Sequence, residues 1–506
     1  MSSSNLFAAL RAAFPADLDS IAIETDNGLN YSWRDLERAT AMMANLLESL
    51  ELEPGARIAV QVEKSVEAVM LYLATLRAGY VFLPLNTAYQ SAEIEYFIGN
   101  AEPAVVVCSK KNFGWVSPLA FKAGAKAVFT LDEDRSGSLL ERAVHCSDQH
   151  RVAEKSADDL AAILYTSGTT GRSKGAMLSH GNLLSNAVVL KSYWGWQRGD
   201  VLIHALPIFH VHGLFVALHA ALLNGSKTLW LPKFDADQII RLLPRATVMM
   251  GVPTFYVRLA ADDRLNRRLV SKMRLFISGS APLLTETFAA FHARTGHVLL
   301  ERYGMSETIM LTSNPVDGER RAGTVGFPLP GVSVRIVGDD GRVIAKRKSG
   351  ESAIGGVQVR GPNVFSAYWR MPEKTREEFT ADGWFKTGDM GKWDAQGYLH
   401  LVGRNKDLII TGGYNVYPKE IEMLIDDMPG VEESAVVGVA HPDFGEAVTA
   451  AVVARPGVTL DPQAMIADIK SKIANYKVPK KIVVVESLPR NAMGKVQKNL
   501  LREQLA

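Results

Sequence analysis

The chain has 506 residues, too many for one ordinary hydrophobic core, so two or more domains are expected, one of them large. Hydrophobic residues make up 47% and charged residues 22%, which excludes a disordered or collagen-like chain and fits a folded, water-soluble one. Lys plus Arg outnumber Asp plus Glu by only 56 to 54, so the global positive field of a nucleic-acid binder is missing and any anion site must be local.

Residues Met1–Pro15 lack the basic, apolar and small-residue regions of a signal peptide. The apolar stretch Ala68–Leu85 is broken by Arg77, Gly79 and Pro84, so it reads as buried helix followed by strand and no membrane span is expected. Short runs of Val, Ile and Leu alternate with amphipathic stretches: a strand over Arg57–Val62, a helix over Val66–Ala78, a strand over Ala104–Cys108. That alternation predicts parallel sheet with crossover helices, and it recurs at Val201–Leu206, Lys227–Leu231 and Arg274–Ile277. The cysteines Cys108 and Cys146 offer neither a disulfide framework nor zinc spacing, which suits a reducing, cytoplasmic setting.

After Gly323 the texture changes to Gly- and Pro-punctuated strands such as Val332–Val337 and Gly356–Arg360, predicting a β-rich subdomain. Within it, Ser349–Gly356 is longer than a compact turn and reads as a surface insertion that leaves the local strand register open. Beyond Gly403–Asp407 the pattern predicts a helix over Pro418–Asp427, strands over Glu433–Val439 and Thr449–Val453, a helix over Asp461–Ile473 and a strand over Lys481–Val485. The expected organisation is α/β: a body over residues 1–406, built of parallel sheets flanked by helices with the β-rich subdomain, and a small α+β domain over residues 407–506.

The strongest local signal is Tyr165-Thr-Ser-Gly-Thr-Thr-Gly-Arg-Ser-Lys-Gly175, which follows the apolar run Ala161–Leu164. Gly168, Gly171 and Gly175 allow backbone N–H groups close to an anion, Thr166, Ser167, Thr169 and Thr170 can donate to phosphate oxygens, and Lys174 adds a positive charge. Such a loop grips a polyphosphate, although its spacing is not that of a Walker A loop.

This segment resembles the phosphate loop of the adenylate-forming superfamily, which includes acyl-CoA synthetases, luciferases and amino-acid adenylation domains. Further motifs follow in that superfamily's order at Ser278-Gly-Ser-Ala-Pro282, Glu301-Arg-Tyr-Gly-Met-Ser-Glu-Thr308, Phe385-Lys-Thr-Gly-Asp389, Gly403-Arg-Asn-Lys-Asp407 and Pro489-Arg-Asn-Ala-Met-Gly-Lys495. The resemblance covers nearly the whole chain and implies ATP, Mg²⁺ and coenzyme A. It implies that Glu307 and Thr166 contact the metal, that Thr308 touches the α-phosphate and that Lys174 helps the leaving pyrophosphate. It further implies that Gly279, Ser280, Ala281, Tyr303 and Gly304 frame the adenine, with Asp389 and Arg404 on the ribose. By the same resemblance Lys495 is the catalytic lysine of adenylation, carried on a mobile small domain hinged near Lys406 or Asp407. Its rotation would bring the glycine loop containing Gly412 and Gly413 to face the thiol.

A mixed anhydride with AMP is already reactive, so no side-chain nucleophile is required for thiol attack. The histidines His204, His210, His212 and His219 lack zinc-site spacing, and His210 resembles the family's acyl-pocket segment, with a satisfied core histidine as the alternative. For the acid itself, Arg302 is the informative residue, because a buried guanidinium cannot shed its charge and needs an anion. Glu301-Arg302-Tyr303 with the upstream Ser278 segment resembles malonyl-CoA synthetases, and Arg258 is a second candidate for the distal carboxylate. An ion pair between Arg302 and Glu301 is the alternative. The expected function is thus ATP-dependent activation of a small carboxylic acid, malonate first and methylmalonate next, with no nucleic acid or membrane as partner and Lys495 open to a lysine acetyltransferase. Another short acid, a luciferase-like oxygenase and a non-catalytic nucleotide or acyl-CoA sensor are the competing readings.

Overall fold

The computed structural model describes residues 4–166, 173–411, 414–442, 444–473, 475–491 and 494–506. Its apolar runs become strands such as Val105–Cys108 and Leu275–Ser278, in which every residue is buried. Only a sheet covered on both faces can hide such strands. Arg57–Gln61, Val81–Pro84, Val105–Cys108, Ala127–Thr130 and Leu160–Thr166 form a parallel sheet, to which Lys174–Ser179 adds an antiparallel edge. The helix Val66–Arg77 is buried over its whole length, capped by Ser65 accepting from the Ala68 N–H. The long apolar stretch is therefore core, and among the described residues no helix is long and apolar enough to cross a membrane.

A second, larger sheet sets Ile21–Thr25, Lys227–Trp230, Val201–His204, Val248–Gly251, Leu275–Ser278 and Leu300–Tyr303 side by side in parallel. Thr312–Ser313 and Phe327–Pro328 extend it as antiparallel strands beyond Leu300–Tyr303. The β-rich region is an antiparallel sheet of Ser333–Val337, Gly355–Arg360, Phe385–Trp393 and Leu399–Arg404. Its first pair keeps unbroken register from Ser333↔Arg360 to Val337↔Gly356, so the extra residues before Gly355 disturb nothing. They lie in an exposed loop held down by Lys346 over the Trp393 ring and by a Glu351–Lys392 ion pair of 2.6 Å.

After Arg404 the chain enters a separate domain, whose sheet contains Ile409–Thr411, Tyr414–Val416, Val431–His441, Gly445–Ala454 and Lys481–Val485. Strand alternation sends Val436, Val448, Ala450 and Val452 to one face, packed on Ile421, Ile425, Met465 and Ile469 from the helices Pro418–Asp426 and Pro462–Lys472. Ala435, Val437, Ala451 and Val453 take the other face, against Leu501 and Leu505 of the C-terminal helix Lys498–Leu505. The hairpin outruns the strands expected from sequence because backbone pairing continues past the buried stretch to Ala440↔Glu446 and His441↔Gly445.

Candidate active site

The parallel strands ending at His204, Gly251, Ser278 and Tyr303 share a carboxyl edge, where open α/β sheets bind ligands. From that edge the chain leaves into the segments around His210, Gly279 and Gly304. A Cβ at Gly304 would lie 1.9 Å from the Ile309 carbonyl oxygen, so only glycine allows the loop to fold back and carry Glu307 and Thr308 inward. Asn363 clamps this loop, its amide donating to the carbonyls of Thr308 at 2.6 Å and Met310 at 2.9 Å.

Glu307 is buried and accepts from the Tyr368 hydroxyl at 2.9 Å. Burial raises its pKa, opposed by Tyr368 and by Lys174 and Arg404 nearby. Lys174 opens the strand returning from the phosphate loop, pairs with Glu378 at 3.4 Å and sits 4.5 Å over the Tyr368 ring. Thr166 ends the outgoing strand directly opposite Lys174, so the two hold the base of the loop. Ser167, Gly168, Thr169, Thr170 and Gly171 lie outside the described residues, as do Gly412 and Gly413.

Asp389 accepts from the Tyr303 hydroxyl, 86 residues away in sequence, and pairs with Arg404 Nε at 2.7 Å, uniting three motifs. Lys495 leaves much of its side chain exposed, but its ammonium reaches this cluster from the small domain. Desolvation, Arg404 and Arg302 lower it to about 8, against the pull of Asp389 and Glu307. His210 is pushed down to about 3 by burial and by Lys495 and Arg302, so its imidazole is neutral.

Beside this polar cluster lies a cation without an anion. Arg302 is buried, and among the described residues its Nε and Nη2 have no hydrogen-bond partner. Burial draws it down to about 9, which still leaves it charged at neutral pH. Glu301 does not neutralise it: successive strand residues point to opposite faces, and Glu301 instead accepts from the Gly323 N–H at 3.0 Å, held up at about 8 by burial. The buried Ser278 Oγ, His212 Nε2 and Thr308 Oγ1 are likewise unpartnered among the described residues. His212 Nδ1 meets Ser280 Oγ at 3.2 Å, and Ser280 holds a left-handed backbone with φ of 74°. Ala281 follows it, partly buried. Arg258 is exposed on its helix, with its guanidinium 5.6 Å from the Phe234 ring centre.

Sequence reasoning passed over His212, Tyr368, Asn363 and Glu378. The sequence around the last three carries no motif signal, and His212 was overshadowed by His210 two residues earlier.

Comparison with known proteins agrees with this geometry. A family model for AMP-binding enzymes matches residues 11–369, and one for the C-terminal domain of AMP-binding enzymes matches residues 420–495. A malonate–CoA ligase of Arabidopsis thaliana is 36% identical, the match covering 99% of this chain and 90% of that protein. The crystal structure of ATP-bound MatB from Rhodopseudomonas palustris superposes with a TM-score of 0.96 at 54% identity, covering 99% of each chain. The apo form of the same protein gives 0.86 at the same identity and coverage. With both family models matched, the chain belongs to the AMP-binding enzyme family of adenylate-forming, AMP-producing acid–thiol ligases.

Proposed function

We propose that this enzyme activates malonate, and methylmalonate after it, as the acyl-adenylate and transfers the acyl group to coenzyme A. The observation that carries the reading is Arg302, a buried guanidinium at the strand ends with two nitrogens unpartnered, and no ion pair to a carboxylate, among the described residues. An unpaired buried cation is costly, and a ligand carboxylate that the reaction does not consume would offset that cost. Ser278 Oγ and His212 Nε2, also buried and unpartnered, are further donors for it. The relative named malonate–CoA ligase supports the same substrate. The test is a panel of acids assayed for coenzyme A-dependent AMP formation: malonate should lead, and a lead by a fatty or aromatic acid would overturn the assignment.

In the first half-reaction an oxygen of the reacting carboxylate bonds to the α-phosphorus while the bond to pyrophosphate breaks. Two anions approach, so the work of the protein is to place positive charge where it develops. Lys495 is assigned to bridge the attacking carboxylate and the α-phosphate, Lys174 to steady the departing pyrophosphate, and Asp389 with Arg404 to orient the ribose. Thr308 Oγ1 is free to donate to the α-phosphate. No group of three His, Cys, Asp or Glu among the described residues is placed to hold a metal, so magnesium here would rely on Glu307 and the phosphates of ATP. The buried Glu307, whose charged form Lys174 and Arg404 favour against the cost of burial, fits that task, and the bound ion would supply neutralising charge to the phosphates. In the second half-reaction the thiol sulfur bonds to the acyl carbon as the bond to AMP breaks, the thiol proton passing to solvent.

We place the boundary of the small domain after Lys406 and assign residues 405–407 as its hinge, where the antiparallel sheet ends at Arg404 and the next begins at Ile409. The exposed Lys495 also fits acetylation by a lysine acetyltransferase, and two free thiols fit a cytoplasmic setting. Across the junction, Arg455 Nη2 meets both Glu286 carboxylate oxygens at 2.5 Å. The pair is half-exposed, so its value is at most about 1 kcal/mol, which still biases a domain equilibrium about fivefold. Glu286→Ala is accordingly expected to slow ATP–pyrophosphate exchange by up to about fivefold and to leave thioester formation from supplied adenylate unslowed. Equal slowing of both steps would remove the pair from that role.

Gly279 gives a separate test of the pocket, because a Cβ there would lie 2.4 Å from Arg302 Cζ. Gly279→Ala must displace the guanidinium, and about a tenfold loss in kcat/KM for the acid is expected. Steady-state kinetics at saturating ATP would check it, with a loss confined to KM for ATP as the contrary result.

A further inference from the structure

The segment that carries His210 and His212 enters a π-helix, His212–Leu218, a geometry in which backbone carbonyls lose their usual helical partners. Gly213, in its first turn, packs so tightly that a Cβ would lie 2.1 Å from the Pro207 carbonyl oxygen. Its own carbonyl is met by His204 Nε2 at 2.9 Å. His204 is itself buried at the end of its strand, with its ring stacked on Trp230 at 4.7 Å.

Behind His204 lies Lys64, whose Nζ contacts His204 Nδ1 at 3.0 Å and the carbonyls of His204 and Leu231 at 2.9 and 2.5 Å, 4.2 Å from the Trp230 ring centre. No carboxylate lies within ion-pair distance of it among the described residues. The Gly213 carbonyl only accepts, so His204 Nε2 must carry the ring proton, and Nδ1 of the neutral ring then accepts from Lys64 Nζ, whose own pKa burial lowers well below the usual lysine value; the two contacts together select one tautomer. Burial and the adjacent Lys64 cation hold His204 well below its usual pKa, in agreement with a neutral ring.

We propose that Lys64 and His204 are positioning residues for acid selection. Lys64 sets the His204 tautomer, and His204 pins the Gly213 carbonyl so that the adjoining His212 is held against Ser280 and Arg302. This inference rests on the Arg302 pocket being the acid site and adds to it the device that shapes one wall. It concerns neither ATP nor the thiol, because Lys174, Glu307 and Asp389, the residues assigned to the phosphates, the magnesium and the ribose, lie on other segments.

The experiment compares Lys64→Met, His204→Phe and His204→Gln in the full-length enzyme. Phe keeps the stacking on Trp230 and loses both hydrogen bonds, whereas Gln can place an amide N–H near the Nε2 position. KM for the preferred acid is expected to rise about tenfold in Lys64→Met and His204→Phe, with KM for ATP within about twofold of the parent and most of the loss recovered in His204→Gln. Selective ¹⁵N-histidine spectra should show one non-titrating Nε2–H imidazole that Lys64→Met converts to a mixture of tautomers. An unchanged acid KM in a folded Lys64→Met enzyme, or losses shared equally between acid and ATP, would overturn the proposal. If His204→Phe does not fold, Lys64→Met and the spectra decide alone. Because the readout uses whichever acid the enzyme prefers, failure of the dicarboxylate reading shows separately in the acid panel.

Discussion

Replacing Arg302 by Leu is expected to lower kcat/KM for malonate by on the order of a hundredfold or more while sparing, or improving, the use of butyrate. The parent buries a guanidinium with Nε and Nη2 unpartnered among the described residues, so a monocarboxylate leaves that charge unmatched and a dicarboxylate matches it. Leucine removes the cation and fills part of its volume with apolar surface, which reverses the sign of the discrimination. A charge-assisted hydrogen bond in a dry site carries a few kcal/mol, whereas the ethyl group that butyrate has in place of the distal carboxylate can gain only about 1.5 kcal/mol, so the loss on malonate should exceed the gain on butyrate. The measurement is kcat/KM for both acids in both proteins. A parent that favours butyrate, or a variant that loses both acids equally, would defeat the dicarboxylate assignment and leave the synthetase assignment standing.

The second large effect concerns Lys495→Ala, for which adenylation should fall by about 10²–10³ while thioester formation from ready-made acyl-adenylate changes less than about threefold. The charge that this lysine offsets develops only as carboxylate meets α-phosphate. Supplying the adenylate separates the two halves, and equal losses in both would strip Lys495 of its role. The pH dependence has a definite sign. Lys495 is drawn down to about 8, and the cation is the acting form. Activity toward free ATP and acid, read as kcat/KM, should therefore be present below that pH and decline as pH rises through about 8. Bound polyphosphate would raise the value, so the decline in kcat should lie at higher pH. The Ala variant should lose that limb altogether, and acetylation of Lys495 should reproduce both the split and the flattened profile.

Much of the architecture was legible in the chain itself. Val105–Cys108 and Leu275–Ser278 read as strands because uninterrupted apolar runs between turn residues leave few other conformations that hide every side chain. The helix Val66–Arg77 read as buried for the same reason, and the body and small domain were separable because their textures differ on either side of Gly403–Asp407. The expectation of phosphate chemistry rests on local features too, since gripping a polyphosphate needs glycines, hydroxyls and a lysine close together in one loop. Such requirements are local, and a sequence records them directly.

Pairing across distance is another matter. That Asp389 joins Tyr303 and Arg404, that Glu307 meets Tyr368, and that the Lys495 ammonium reaches all of them depends on how separate sheets and domains pack. Arg302 stood in the sequence as a cation beside Glu301, a plausible ion pair; the strand turns the two to opposite faces and leaves the guanidinium alone at the carboxyl edge. Arg258 carried the same charge and was a candidate for the same work, yet its helix turns it to solvent above Phe234. The Lys64–His204–Gly213 chain joins residues 140 and 9 positions apart through a π-helix that no periodicity announced. The sequence determined which elements form and offered one anion-binding loop, because burial patterns and anion-binding chemistry are local; the tertiary structure decided which charges are left unmatched, because a charge is partnered or orphaned only by what the fold brings beside it.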